Sequence, residues 1–485
     1  MSINSLGFLA FLAAAAALYY LAPRRARWCV LLAAGAAFYL SYDARMALFL
    51  AGAILTAYGG ARLLARLEAR GARLAVLWAA LAVNLAPLVS CKYLRLDFMG
   101  LLAPLGISFY VMQTAGYLID VYSEKYPPER KLARYALFMS FFPQLIQGPI
   151  HRYDAMAEQL FEGHRLSADN LRHGIQLILW GLLKKALIAD LLGGFVGRVF
   201  NEYGDYGGAV IFLGVALYCL QLYADFSGGI DVARGAAELF GIEMAVNFRR
   251  PYLAASVTDF WHRWHISLGE FMRDYVFYPL ALSRPFAKLG RFSRQTLGKR
   301  YGKLVPTAAA TVITFLVVGV WQGPGWQNAA YGLWNGGLVA FELFFAGREP
   351  RGGAPVKARA VHVLRVLRTL LLVCIGRYFS RAGSLTQSLA MLGKTVSLRA
   401  VNQLFDGTLG TLGLSAPVIA SVLATSLLLL FVSLLEESGR PARRWLSERR
   451  PAFQFLVVFI GLVVLIGAVY INSDYIPSEF IYGEV

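Results

Sequence analysis

The chain has 485 residues, of which 58% are hydrophobic and only 16% charged, with a mean hydropathy of +0.53. Soluble chains carry about 25% charged residues, so the composition excludes an ordinary soluble enzyme. The net charge of +18 raises nucleic acid as a partner, and the placement of that charge argues against it.

Apolar residues come in blocks of roughly 15 to 22, the length that crosses a bilayer core as helix. In chain order the clearest are Leu6–Leu21, Leu74–Val89, Gly207–Leu222, Ala308–Val320, Val418–Leu434 and Phe453–Tyr470. The pattern predicts an all-α polytopic membrane protein with about 11 to 13 membrane-embedded helices. The basic residues fall in the connections: Arg24, Arg25 and Arg27, then Arg62–Arg73, Lys125–Arg134, Arg284–Lys303, Arg348–Arg368 and Arg440–Arg450. Residues 281–303 contain no acid at all. The positive-inside rule puts these loops on the cytoplasmic face, against anionic lipid headgroups rather than nucleic acid, and both termini outside. The first helix reads as a retained span, because its basic residues follow the apolar run instead of preceding it. Cys29, Cys91, Cys219 and Cys374 are scattered, with neither metal spacing nor a disulfide framework.

Polar residues inside such a chain locate function better than apolar ones. A charge at mid-bilayer costs about 2.5–3.5 kcal/mol. The densest polar stretch is "SVTDFWHRWHISLGEFMR" (Ser256–Arg273). On one continuous helix, Asp259 lies a turn from His262 and Arg263, and His262 a turn from His265. Asp259, Arg263, Glu270 and Arg273 must therefore face water, a protein-lined cavity or the interface. An interfacial amphipathic helix with Trp anchors satisfies the same facts. A metal shared by His262 and His265 lacks a third ligand.

Upstream, "YADFSGGIDVARGAAELFG" (Tyr223–Gly241) sets Asp225, Ser227 and Asp231 around a glycine pair and predicts a broken or kinked helix. In "FFPQLIQGPIHRY" (Phe141–Tyr153), Pro143, Gly148 and Pro149 break an apolar helix beside Gln144, Gln147 and His151. Such breaks are tolerated at membrane depth only where protein or trapped water satisfies the freed backbone. Between Lys303 and Arg348 two helices fit as a hairpin, its turn at "WQGPGW" (Trp321–Trp326). Gln322, Gln327, Asn328 and Asn335 put amides on or near that turn, either tying helices together or lining a site.

Taken together these segments resemble a known family. "DFWHRWHISLGEFMRDYVFYPL" (Asp259–Leu280) is similar to the signature of membrane-bound O-acyltransferases, in the bacterial branch that includes alginate O-acetyltransferase and teichoic-acid D-alanyl transferase. "LGISFYVMQTAGYLIDVY" (Leu105–Tyr122), "FFPQLIQGPIHRY", "YADFSGGIDVA", "RRPYLAASVTDFW" and the closing "FIYGEV" follow in that branch's order. The resemblance runs from Leu101 to Ala346 and returns weakly at "RYFSRAGSLTQSLAML" (Arg377–Leu392).

The resemblance implies one membrane-embedded domain, a helical ring around a central funnel. Residues 1–100 would be peripheral helices, 101–346 the core and 347–485 the C-terminal helices. It implies a bacterial inner-membrane location, a cytoplasmic acyl donor (acetyl-CoA, or an acyl-carrier-protein thioester) and no bound cofactor or metal. The acceptor would be a hydroxyl of an exported polysaccharide or of a periplasmic SGNH-type acetyltransferase partner. One marker histidine is His265; the other belongs to a "G-[LIV]-W-H-G" turn, where this chain has Gln322. Asn335 stands where many relatives carry a further histidine. Trp264, Ser267, Trp321, Trp326 and Asn328 join Asp259, His262, Arg263, Asn335, Asp225, Ser227, Gln147 and His151 as expected substrate-channel residues.

An amide donates and accepts hydrogen bonds but takes up no proton near neutrality. General base catalysis is worth roughly 10²–10⁴-fold, so the replacement matters. Three accounts follow. Another base substitutes, with His265 and His262 nearest and His151 more remote, and Gln322 orienting the acyl carbonyl or stabilising an oxyanion. A partner supplies the base to an acyl relay. Or the chain is an inactive relative that serves as a scaffold or moves a lipid or glycan.

Overall fold

The computed structural model describes residues 5–96, 106–145, 147–345, 355–397, 400–471 and Phe480. These are helices and connections; among the described residues there is no strand, only a bridge between Phe248 and Trp264. Local sequence explains where helices start and stop. Ser5 opens Leu6–Leu21 by accepting the Phe8 N–H at 3.1 Å. Pro23 closes it, holding Ala22 in the extended region at ψ 144°.

Among the described residues, six helices are long and apolar enough to cross a membrane: Ala44–Leu64, Arg70–Lys92, Gly208–Glu238, Leu304–Gln322, Ala416–Glu437 and Pro451–Ile471. Leu6–Leu21 is apolar but shorter. At 1.5 Å per residue, Leu304–Gln322 extends about 28 Å, close to the thickness of a hydrocarbon core. The outward faces of these helices are greasy: Phe455, for example, is 71% exposed. Water would not tolerate that area; lipid does.

The chain forms two compact units, each drawn from separated stretches. The first takes the described residues of Met1–Leu187, Ala224–Ala245 and Arg440–Val485. Its core is aromatic, with Phe8 and Phe38 meeting edge to face at 5.8 Å and Tyr117 against Tyr135 at 4.5 Å. The expected break in Tyr223–Gly241 is absent: Gly208–Glu238 is one helix of 31 residues. Its glycines remove bulk instead. A Cβ on Gly181 of the helix Ala168–Lys184 would lie 2.4 Å from the Gly228 carbonyl oxygen, so the two backbones touch there. Keeping the intrahelical hydrogen bonds is what an apolar surrounding demands, and small residues then serve helix contact. The break in Phe141–Tyr153 is present: Phe142–Leu145 is a single turn, and the chain is non-helical from Gly148 to Arg152.

The second unit takes Ile188–Tyr223 and the described residues of Val246–Gly439. It holds the expected hairpin, Leu304–Gln322 and Trp326–Phe345, joined by Gly323–Gly325. Gly325, at φ 130°, makes the turn that a residue with a Cβ would resist. Beyond it, Cβ atoms on Gly319 and Gly332 would lie 2.2 and 2.4 Å from the Asn328 and Phe315 carbonyl oxygens, so the hairpin closes backbone to backbone. The acid-free basic stretch is helical over Arg284–Gly302 rather than a loop, broken by a kink at Gly298 (φ 76°), with Phe292 63% exposed among its arginines. That mixture suits a helix lying at a lipid headgroup boundary. Arg348 and the closing "FIYGEV", apart from Phe480, lie outside the described residues.

Candidate functional site

His265 sits at one of the left-handed backbone positions of the second unit. The helix Val257–Arg263 is capped by Ser256, which accepts the Asp259 N–H at 3.0 Å. Glu342, on the far arm of the hairpin, accepts the Val257 and Thr258 N–H groups, each at 2.8 Å, and the Thr258 hydroxyl at 2.6 Å. A carboxylate on a helix N-terminus meets both the open N–H groups and the positive end of the helix dipole.

The helix ends at Arg263 because the chain turns extended and pairs with residues 247–249. Arg249 N–H bonds the Arg263 carbonyl at 2.9 Å, and Ile266 N–H bonds the Asn247 carbonyl at 3.0 Å. Between these two ties His265 is held in the left-handed region, at φ 48° and ψ 54°, before Ile266–Met272 begins. Non-glycine residues hold that conformation only when the surroundings impose it.

The break separates the two histidines. His265 is buried and His262 is exposed, so they do not share a helix face as a continuous helix would require. Among the described residues, no group of three or more metal-ligating side chains occurs.

Asn247 fixes the state of His265. Its Oδ1 accepts the Ser267 backbone N–H at 2.9 Å, which only donates, and the Ser267 hydroxyl at 2.9 Å. The contact of that same oxygen with His265 Nδ1, at 3.4 Å, therefore places the proton on Nδ1 and the lone pair on Nε2. Burial lowers the imidazole from its ordinary value to about 3, so the ring is neutral at physiological pH. A neutral imidazole with Nε2 unprotonated is the form a general base needs, although burial also weakens it as a base.

The other expected residues divide by role. Trp264 is fully buried in an aromatic cluster, parallel to Phe260 at 5.5 Å and edge-on to Phe248 at 5.0 Å. Asn335 accepts the Trp261 indole N–H at 3.2 Å and donates to the Tyr331 carbonyl at 2.8 Å, so this amide ties helices together. Asp259 pairs with Arg263 at 2.8 Å, and Arg263 and Arg250 both ion-pair with Glu437, at 3.1 and 2.9 Å. Gln322 is the last residue of its helix, half-buried, and its amide makes no hydrogen bond among the described residues. Trp321 and Asn328 are likewise half-buried, whereas Trp326 is 79% exposed.

Asp225, Ser227, Gln147 and His151 belong to the first unit. Asp225 is paired with Lys185 at 2.7 Å, and Lys184 donates to Ser227 and pairs with Asp231, each at 2.8 Å. Sequence reading passed over these lysines, though "LLKKALIAD" sets both inside an apolar run. They sit where the helix widens into a π turn at Lys185–Asp190. His151 Nε2 accepts the Ala245 N–H at 3.1 Å, which uses the lone pair that a base requires. Gln147 is fully buried against Gly229, where a Cβ would fall 1.5 Å from its Oε1. Asn247 and Glu342 were also missed, being single polar residues in stretches with no motif of their own.

Residues 129–349 match the membrane-bound O-acyltransferase family. A probable alginate O-acetylase of Azotobacter vinelandii is 32% identical over 390 residues, which is 76% of this chain and 72% of that protein. The chain belongs to the membrane-bound O-acyltransferase family. With its long apolar helices, this makes it a multi-pass membrane protein. The probable alginate O-acetylase of Pseudomonas syringae pv. tomato is 34% identical over 296 residues, covering 61% of this chain and 52% of its own length. The peptidoglycan O-acetyltransferase of Helicobacter pylori is 29% identical over 334 residues, covering 63% and 59%. The match thus spans about half the length of several curated relatives, at 52, 54 and 50%.

Proposed function

We propose that this membrane-bound O-acyltransferase moves a small acyl group, in the first instance acetyl, from a cytoplasmic thioester donor to a hydroxyl of an exported polysaccharide or of a periplasmic SGNH-type partner. The single observation that carries the reading is the held state of His265: buried, neutral, and oriented by Asn247 with Nε2 unprotonated. In the proposed step the acceptor oxygen attacks the thioester carbonyl carbon, a C–O bond forms and the C–S bond breaks. The acceptor proton passes to His265 Nε2 and from there to the departing thiolate. Gln322 takes no proton; its amide N–H donates to the acyl oxygen as negative charge develops there. Acetyl-CoA fits as donor, and an acyl-carrier-protein thioester offers the same reacting carbonyl. The printed activities of the relatives, O-acetylation and D-alanyl transfer, support a small acyl group and a polymer acceptor. The proposal places the protein in the bacterial inner membrane with both termini outside, which the basic connections support.

Mass spectrometry of cell-surface polymer with and without the gene tests this. Ester-linked acyl groups should disappear on deletion and return with the wild-type gene but not with His265→Ala. An unchanged ester content on deletion would overturn the reading.

A further inference from the structure

Arg377 lies in the helix Pro355–Arg381 of the second unit and is 2% exposed. Its Nη1 donates to the Tyr331 hydroxyl at 3.1 Å. Its guanidinium carbon lies 4.8 Å from the centre of the Trp264 ring and 5.8 Å from that of Tyr331. Tyr218, Tyr252, Cys219 and Cys374 are its remaining titratable neighbours. In their ordinary states at neutral pH all of these are uncharged. Nε and Nη2 are buried and meet no oxygen or nitrogen acceptor among the described residues, the Cys219 sulfur offering the guanidinium only a weak one.

The arrangement is unusual because arginine does not lose its proton, so burial leaves a full positive charge. Contact with the Trp264 face offsets part of the cost of removing that charge from water. It does not supply the two N–H groups with a lone-pair acceptor in the plane of the guanidinium. Nε–H and the neighbouring Nη2–H are parallel and share one edge of that plane. This is the fork that receives a carboxylate or phosphate through two oxygens at once. Arg250 and Arg263 of the same unit, by contrast, both reach a carboxylate.

We propose that the Nε–Nη2 edge of Arg377 binds an oxyanion of a ligand, a carboxylate or phosphate group, against the floor formed by Trp264. Trp264 immediately precedes His265, and Tyr331 lends its carbonyl to Asn335, so the anion is held among the residues that build the candidate site. The shared chemistry has two sources, the phosphates of a nucleotide-type donor and the carboxylate of an acidic sugar. The inference goes beyond the acyl-transfer reading and stands without it, since binding is scored without turnover.

The test is thermal unfolding of the purified full chain in detergent, at constant ionic strength. Chloride is compared with inorganic phosphate, coenzyme A and glucuronate. At least one oxyanion should raise the melting temperature saturably above chloride. A response to phosphate and coenzyme A assigns the site to a phosphate group, and one to glucuronate assigns it to a carboxylate. Arg377→Lys keeps the charge but loses the parallel donors, and should weaken the apparent affinity roughly tenfold or more. Arg377→Met should abolish the response while melting no lower than wild type in chloride. No oxyanion response in wild type, or an equal response in both variants, overturns the proposal. So does a Cys374→Ser variant that melts lower in chloride while no anion helps wild type, because the counter-charge is then a thiolate of the Cys219–Cys374 pair. If Arg377→Met does not fold, Arg377→Lys decides. Failure of acyl transfer leaves the binding result intact.

Discussion

Replacing Asp225 by Asn should cost the first unit far more than its single lost charge suggests. Asp225 and Lys185 are 1% and 2% exposed and 2.7 Å apart. At an effective dielectric of about 20, two unit charges at that distance attract by about 6 kcal/mol. Removing each ion from water costs several kcal/mol, so the pair as a whole contributes little net stability. Asp225→Asn keeps the shape and removes the attraction, yet leaves the Lys185 ammonium buried; the expected loss is about 3–5 kcal/mol. Asp225→Leu combined with Lys185→Met removes both charges and should lie within about 1.5 kcal/mol of wild type. The assay is equilibrium unfolding in mixed SDS and dodecylmaltoside micelles, read by tryptophan fluorescence and analysed as a double-mutant cycle. If Asp225→Asn loses less than about 1 kcal/mol, or the double variant loses the sum of the singles, the Asp225 carboxylate is not what holds the buried ammonium and the reasoning fails.

Glu342→Ala should destabilise by about 2–4 kcal/mol in the same micelle titration, with Glu342→Gln intermediate, because three donors at the start of Val257–Arg263 lose a charged acceptor. The acid limb of kcat/KM should be displaced. Burial lowers His265 to about 3, so its Nε2 lone pair persists as pH falls and is protonated only near that value. A half-loss of rate at about 6.5 would instead indicate an exposed imidazole. Gln322→His should raise turnover by restoring a titratable group at the hairpin turn, by up to roughly 10²-fold if the proton transfer at that turn is limiting. An unchanged rate in that variant would show that proton transfer at the turn does not limit turnover, His265 alone serving as the base.

Fold class and the hairpin were legible because both rest on the length and spacing of apolar runs between basic connections. The turn at Gly323–Gly325 follows from glycine and proline chemistry, which is local. The glycine pair of Gly208–Glu238 misled because sequence does not say whether a glycine bends a helix or admits a neighbour; Gly181, far away in the chain, decides. The site was half legible. His265 stood out as an imidazole in an apolar chain, but its pairing with His262 failed because residues 247–249 pull the chain out of helix after Arg263. Asn247, Glu342 and Lys185 were silent, and Arg377 opened a weakly resembling stretch without its role, because these roles come from contacts between distant segments, which no short motif encodes.

Purified protein supplied with radiolabelled acetyl-CoA and a polysaccharide acceptor tests the central claim most directly. The account predicts labelled ester on the acceptor from wild type and a fall of roughly 10²–10⁴-fold with His265→Ala. Labelled product formed at the same rate by His265→Ala would contradict it.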